Sequence, residues 1–295
     1  TVWSVLKDEI KMLNEKREHT KSLPGVKIPE SIVFSDNLEA VLADPDIVVL
    51  AVASPYTRST AHMMSPHVKE GQIIVNVVED EIPQAQVAVL SGPSHAEEVG
   101  RGIPTTCVVG TRKKANAEFI QNVFMSNVFR VYTSPDMLGI CLGGSLKNVI
   151  ALAAGMADGL GYGDNTKAAL ITRGMAEITR LGVKMGGKPQ TFSGLSGIGD
   201  LIVTCESMHS RNRRAGILIG KGYTADEAMK EVQMVVEGVY SARAALKLAK
   251  KYDVSMPIVE QVNHILFDDK KAADAVMELM LRDKTIENSE LPWEE

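Results

Sequence analysis

The chain is predicted to be an α/β domain with a mostly parallel sheet, followed by an all-helical domain. Three observations predict this. Short apolar runs of strand type alternate with helical patterns from the start of the chain to about residue 134, the signature of βαβ units. No convincing strand pattern occurs after Pro135. The length, 295 residues, is enough for two domains with cores of their own. The boundary is therefore placed near Ser134–Asp136, giving domains of residues 1–135 and 136–295.

In the first domain, Thr1-Val2-Trp3 reads as the end of a strand, and a helix follows from about Lys7 to Arg17. Leu23-Pro24-Gly25 and Ile28-Pro29-Glu30 are turn signals. Ser35–Leu42 reads as a short helix. Asp46–Ala53 (DIVVLAVA) is a continuous apolar run, expected as a buried strand. Ser54-Pro55 then suits a helix with proline in its first turn. Gly71–Val77, Val87–Leu90, Thr105–Gly110 and Phe129–Thr133 are further strands, and Lys113–Met125 is a helix.

The second domain reads as helices at Asp136–Gly159, Thr166–Leu181, about Arg211–Gly220, Ala225–Lys230, Gly238–Tyr252, Pro257–Phe267 and Lys271–Arg282, with a glycine-rich loop at Ser193–Gly199. Arg173 and Glu177 are spaced for a helical ion pair. The polar tail ENSELPWEE is expected to fray.

Bulk properties exclude several classes. Net charge is −5, so no nucleic-acid surface is expected, and no apolar run is read as a membrane span. Cys107, Cys141 and Cys205 are odd in number and lack metal-type spacing, and the six histidines form no paired motif. No metal site is expected, and a reducing, cytoplasmic setting is.

Chemistry concentrates in three stretches. Leu142–Gly161 is one helix, rich in small residues, with a single cation, Lys147. Gly143, Gly144, Ala151 and Ala154 share its side at helical spacing, while Leu146, Val149, Ile150, Ala153, Met156 and Leu160 form a core face. Lys147 facing a cleft and moving protons is one reading, and the small residues would leave room there. A packing helix with a solvated lysine is the other. Gly92 and Ser94 follow a buried strand, where parallel sheets bind ligands. Gly92 would let a ligand approach the backbone, and Ser94 is also a natural helix N-cap. His95 beside them is expected to be structural. The loop Gly194–Gly199 ends in Asp200, which could hold a substrate hydroxyl or orient an ammonium group, or simply cap a helix. Beyond it, Ser210-Arg211-Asn212 could bind phosphate through the guanidinium fork, or be a solvated basic helix start. Gly155, Gly159, Gly161 and Gly163 read as a helix C-terminus and turn.

Ser91-Gly92-Pro93-Ser94-His95-Ala96-Glu97-Glu98-Val99, Gly144-Ser145-Leu146-Lys147-Asn148-Val149, Gly197-Ile198-Gly199-Asp200-Leu201 and Ser210-Arg211-Asn212 occur in this order. Together they closely resemble the bacterial NAD(P)-dependent glycerol-3-phosphate dehydrogenases. The resemblance implies a Rossmann-like N-terminal domain and reversible reduction of dihydroxyacetone phosphate to sn-glycerol 3-phosphate with NADPH or NADH, feeding phospholipid synthesis. It implies Lys147 as general acid and base. It implies Gly92, Ser94, Lys147, Asp200, Ser210, Arg211 and Asn212 at the substrate. It implies Ala96, Arg211, Val235 and Glu237 at the cofactor, with Asn148 and Thr204 as further members. A homodimer is compatible with it.

The family's glycine-rich loop would precede Thr1, and its Ser-Lys-Gly strand end would follow Val77; neither is present in the chain. Ser4, Val5 and Leu6 stand where basic residues would read a 2′-phosphate, so NAD versus NADP stays open. Two alternatives are a β-hydroxyacid dehydrogenase, which has a similar layout but no Ser-Arg-Asn phosphate site, and a non-catalytic binding protein that has lost its cofactor loop.

Overall fold

The computed structural model describes residues 1–75, 82–284 and 286–287. The expected break near 77/78 and most of the tail lie outside them. The first domain runs β1 (Val2–Trp3), α1 (Lys7–Lys16), β2 (Phe34–Ser35), α2 (Leu38–Leu42), β3 (Val48–Val49), α3 (Ser54–Met64), β4 (Ile73–Val75), β5 (Gln86–Ser91), α4 (Ala96–Val99), β6 (Thr105–Thr111), α5 (Lys114–Phe124) and β7 (Phe129–Ser134). Among the described residues the strands form two sheets. β1 pairs with β2, and a five-stranded sheet has the order β3-β4-β5-β6-β7. All pairs are parallel except β5 with β6.

The run Asp46–Ala53 departs from expectation. Only Val48 and Val49 are strand, because β3 is the edge of its sheet and lacks a partner on one side. Val49 is half exposed rather than buried. The strand β2 sits at the start of the stretch read as helix. There α2 begins only at Leu38, capped by Asn37, whose side chain accepts from the Ala40 N–H at 3.0 Å.

The second domain is entirely helical among the described residues: α6 (Met137–Gly159), α7 (Asp164–Lys184), α8 (Pro189–Phe192), a π-type turn at Leu195–Gly199, α9 (Asp200–Glu206), α10 (Arg211–Gly220), α11 (Ala225–Val232), α12 (Glu237–Tyr252), α13 (Pro257–Phe267) and α14 (Ala272–Met280). Asp136 caps α6, accepting from the Gly139 N–H at 2.9 Å. Its other oxygen accepts from Thr191 Oγ1 at 2.6 Å and the Lys188 N–H at 2.8 Å, which ties α8 to the domain boundary. Ile140 is fully buried against Val89 of β5 and Val108 of β6, so the start of α6 is locked onto the sheet.

By length and composition α6 could cross a bilayer, contrary to the sequence expectation. Here it is the core of the helical domain, with Val149, Ile150, Ala151, Leu152 and Ala154 at zero exposure. Its glycines serve packing. A Cβ at Gly155 would collide with the Arg213 carbonyl, and one at Gly159 with the Ile217 carbonyl. Across the interface, Gly216 meets the Leu152 carbonyl and Gly220 the Met156 carbonyl. Two glycine pairs at four-residue spacing thus let the α6 and α10 backbones touch. As expected, Gly155 and Gly159 fall at the C-terminus of α6 and Gly161 in the turn after it, with Gly159 the last residue of the helix and Gly161 at φ +81°.

Glu177 also departs from expectation. Instead of pairing with Arg173 it caps α13, accepting from the Ile258 N–H at 2.8 Å and the Val259 N–H at 3.2 Å. Burial pushes its carboxyl up to about 7, against the opposing pull of those N–H groups and Arg180.

Gly216→Val is expected to destabilise the protein by about 3 kcal/mol, the upper end of overpacking costs, read from the urea midpoint. For Glu177 the folded pKa lies above its ordinary value of 4.5. The protonated form is favoured by the fold, so its stabilisation is present at low pH and lost as pH rises through about 7. The unfolding free energy of wild type minus that of Glu177→Gln should therefore fall over this window, by up to about 3 kcal/mol. A difference that is flat or rising with pH in urea titrations would contradict this.

Candidate active site

One cleft of about 300 Å³ gathers most of the residues singled out from the sequence. The end of β5 contributes Leu90, Ser91 and Gly92, and the turn into α4 contributes Ser94 and His95. Gly144, Lys147 and Asn148 come from α6, and Asp200 and Thr204 from α9. His209 and Ser210 precede α10, which supplies Arg211 and Asn212. Glu237 opens α12. Ala96 and Val235 fall outside this lining.

Lys147 faces the cleft and not bulk water. Its Nζ donates to Asp200 Oδ1 at 2.5 Å, with side-chain exposures of 17% and 5%. Burial raises the Asp200 pKa above its ordinary value, and Lys147 is the main opposing influence. Thr204 Oγ1 donates to the Asp200 carbonyl at 2.6 Å and lies 3.4 Å from Oδ1. Asp200 is thus the first residue of α9, not its cap, and it orients the ammonium group.

The small residues beside Lys147 divide by role. Only Gly144 lines the cleft. A Cβ at Gly143 would strike the Ser196 carbonyl, so Gly143 admits the turn before α9. Ala151 and Ala154 are fully buried. The expectation that Gly143 and Ala151 make room for a ligand is corrected accordingly. Gly92 lines the cleft and carries a backbone constraint as well. Its φ is +140°, and a Cβ would lie 3.0 Å from Cys107 Cα, so the β6 backbone requires glycine there. Ser94 caps nothing; its hydroxyl donates to the Gly92 carbonyl at 3.0 Å, and His95 holds the N-cap position.

At the far side, Ser210 caps α10, its Oγ accepting from the Arg213 N–H at 3.2 Å. Arg211 has no hydrogen-bond or ion-pair partner among the described residues, and it faces the cleft. Asn212 is committed to structure. Its Nδ2 donates to Asn148 Oδ1 at 2.9 Å, and its Oδ1 accepts from the Gly238 N–H at 2.8 Å. Glu237 spans the two domains: Asn148 Nδ2 and the Ser54 N–H each lie 3.5 Å from its carboxylate oxygens.

His95 lines the cleft with Nε2 buried and unpartnered. Burial, then Lys147, hold its pKa below the usual imidazole value. His209 escaped the sequence reading. Its ring centroid lies 6.0 Å from that of His95, and adjacency to Ser210 was the only available signal.

Residues 1–117 match the NAD-dependent glycerol-3-phosphate dehydrogenase N-terminus, and residues 136–277 match the C-terminus of the same family. The chain belongs to this family. A glycerol-3-phosphate dehydrogenase [NAD(P)+] of Agathobacter rectalis is 64% identical over 307 residues, covering 99% of this chain and 91% of that protein. One of Moorella thermoacetica is 49% identical over 308 residues, with 99% and 91% covered. These alignments are longer than the 295-residue chain, so the relatives carry residues within them that this chain lacks. A crystal structure of glycerol-3-phosphate dehydrogenase from Coxiella burnetii superposes with a TM-score of 0.91 at 34% identity, covering 95% of this chain and 90% of that one.

The family is NAD(P)-dependent, and the residues present fit the nicotinamide end of such a cofactor. Glu237 reaches the start of α3 at the carboxyl end of β3, and Ser91 and Gly92 close β5. These are the strand ends at which an open parallel sheet binds ligands. The glycine-rich phosphate loop of such folds is not among the described residues.

Proposed function

We propose that this chain reduces dihydroxyacetone phosphate reversibly to sn-glycerol 3-phosphate with NADH or NADPH, using Lys147 as general acid. The observation that carries this reading is an unpaired guanidinium, Arg211, sharing a small polar cleft with an ion-paired lysine. A cleft of about 300 Å³ suits a triose phosphate. Arg211 supplies a planar fork for the phosphate, and Ser210 keeps its hydroxyl proton for a phosphate oxygen while its oxygen caps α10.

The bound cofactor supplies hydride to the ketone carbon. Lys147 donates a proton to the ketone oxygen as negative charge develops there, and in reverse its neutral amine takes the hydroxyl proton. Asp200 holds the Lys147 ammonium in one place, which a flexible four-carbon stem would not otherwise allow. Glu237, and through it Asn148, belong at the cofactor side. Ser94, on the turn after β5, lies at the wall facing α6. Ala96 and Val235 would touch more distant parts of the cofactor. The product serves phospholipid synthesis in this reading. The three free cysteines suit a reducing cytoplasm.

Lys147→Met should lower turnover by roughly 10²–10⁴-fold with the fold retained, seen in stopped-assay turnover alongside circular dichroism. Near-normal turnover would remove Lys147 from the chemistry. Arg211→Ala should raise KM for dihydroxyacetone phosphate by about 30-fold, the loss of roughly 2 kcal/mol of charge-assisted hydrogen bonding. Arg173→Ala, on α7 and away from the cleft, should leave KM within about twofold. Equal effects would refute the phosphate assignment. Preference for small unphosphorylated 3-oxo acids over dihydroxyacetone phosphate would instead favour a β-hydroxyacid dehydrogenase.

A further inference from the structure

Arg213 is two residues from Arg211 but has a different fate. Its Nε donates to Asp158 Oδ2 at 2.8 Å, and Nη2 lies 2.8 Å from the same oxygen. Its Nη1 donates to the Glu206 carbonyl at 2.9 Å and lies 2.9 Å from Met208 Sδ. The other oxygen of Asp158 is 2.9 Å from Lys167 Nζ, which also lies 3.5 Å from Glu206 Oε2. The Arg213, Asp158 and Lys167 side chains are 13%, 15% and 11% exposed, so this is a nearly buried cluster. None of these residues lines the cleft. One carboxylate on α6 therefore gathers α7, the end of α9 and the first turn of α10.

Helical geometry gives the cluster a consequence at the active site. Residues two apart on a helix point about 200° apart. Holding Arg213 inward against α6 turns Arg211 to the opposite side, which is the cleft. The same guanidinium grips the Glu206 carbonyl and Met208, and so fixes the loop leading into Ser210. On α6, Asp158 lies eleven residues beyond Lys147, about 16 Å along a rigid rod. The distance from the lysine to the anion anchor is thus set through Asp158. Three arginines near one helix N-terminus also oppose its dipole. Asp158 neutralises Arg213 and leaves Arg211 unmatched for an incoming anion.

We propose that Arg213, held by Asp158, is the positioning residue that aims Arg211 and Ser210 at the phosphate of the substrate. This rests on the phosphate reading of Arg211 above. The test is Arg213→Lys, which keeps the charge and loses the fork. Calorimetry with inorganic phosphate and with sn-glycerol 3-phosphate gives Kd, and steady-state assays with dihydroxyacetone phosphate separate KM from kcat. Both Kd values and KM should rise roughly tenfold, with kcat within about threefold. Asp158→Asn should reproduce the pattern, and it carries the same measurement if Arg213→Lys does not fold. Lys167→Met leaves the Arg213–Asp158 bridge standing, so it should lower Tm yet keep phosphate Kd within about twofold. A folded Arg213→Lys protein with wild-type phosphate Kd would overturn the proposal. So would a Lys167→Met protein that loses phosphate as strongly, since that would mean general loosening. Wild-type protein that binds neither phosphate nor glycerol 3-phosphate would end the substrate reading itself.

Discussion

The Lys147–Asp200 pair is the contact on which the site depends. A carboxylate as buried as Asp200 is costly unless a cation stands against it, and breaking such a pair typically costs 3–5 kcal/mol. The pair therefore commits two helices as well as two side chains. For Asp200 to reach Lys147, the turn before α9 must lie directly on α6, which requires the missing side chain at Gly143. That turn also bends sharply, with φ −101° and ψ −106° at Gly197 inside an otherwise helical stretch. Gly143 gives the turn its place on α6, and at Gly197 the turn folds against the Phe192 backbone, where a Cβ would not fit.

The packing of α10 follows the same logic at the other end of α6. Its two glycines face two glycines of α6, so the helices meet backbone to backbone. That close approach brings the first turn of α10, with Ser210, Arg211 and Asn212, beside the lysine rather than a side-chain layer away from it. The Asn212 amide then spends its donor and acceptor on Asn148 and the α12 N-terminus. In the proposed reading Arg211 and Ser210 carry most of the phosphate recognition, and Asn212, which also lines the cleft, braces them.

Much of the architecture was legible because long periodic segments report themselves. The helices α6, α7, α10, α12 and α13 and the strands β5, β6 and β7 were readable to within a few residues. The elements that escaped, β2, α4, α8 and α9, are two to seven residues long, at most two helical turns and too short for a period to show clearly. The run before Ser54 misled because apolar content reports hydrophobicity and not whether a strand has neighbours on both sides. In the site, the residue types were legible and their duties were not. Gly92 and Asn212 do line the cleft, yet, like Gly143, they also answer to backbone segments far away in sequence, which no motif reveals. The Ser-Arg-Asn motif singled out Arg211, but the structural duty of Arg213 shows only in its pairing with Asp158.

In the proposed reaction Lys147 must keep its distance to a hydride donor held by the other domain. The start of α6 is locked between β5 and β6 by Ile140, which lies two helical turns before Lys147. The lysine is therefore carried on a rigid element anchored in the very sheet whose strand ends receive the cofactor. Glu237 makes a polar crossing, from the start of α12 to the Ser54 N–H. The apolar crossing is tightly packed, whereas the polar ones are long, 3.5 Å at Glu237 and 3.8 Å between His209 and Glu97 of α4. In the proposed reaction such an asymmetry would hold the proton donor fixed while the cofactor side adjusts. A dehydrogenase that must admit and release a dinucleotide without misplacing its acid needs that division.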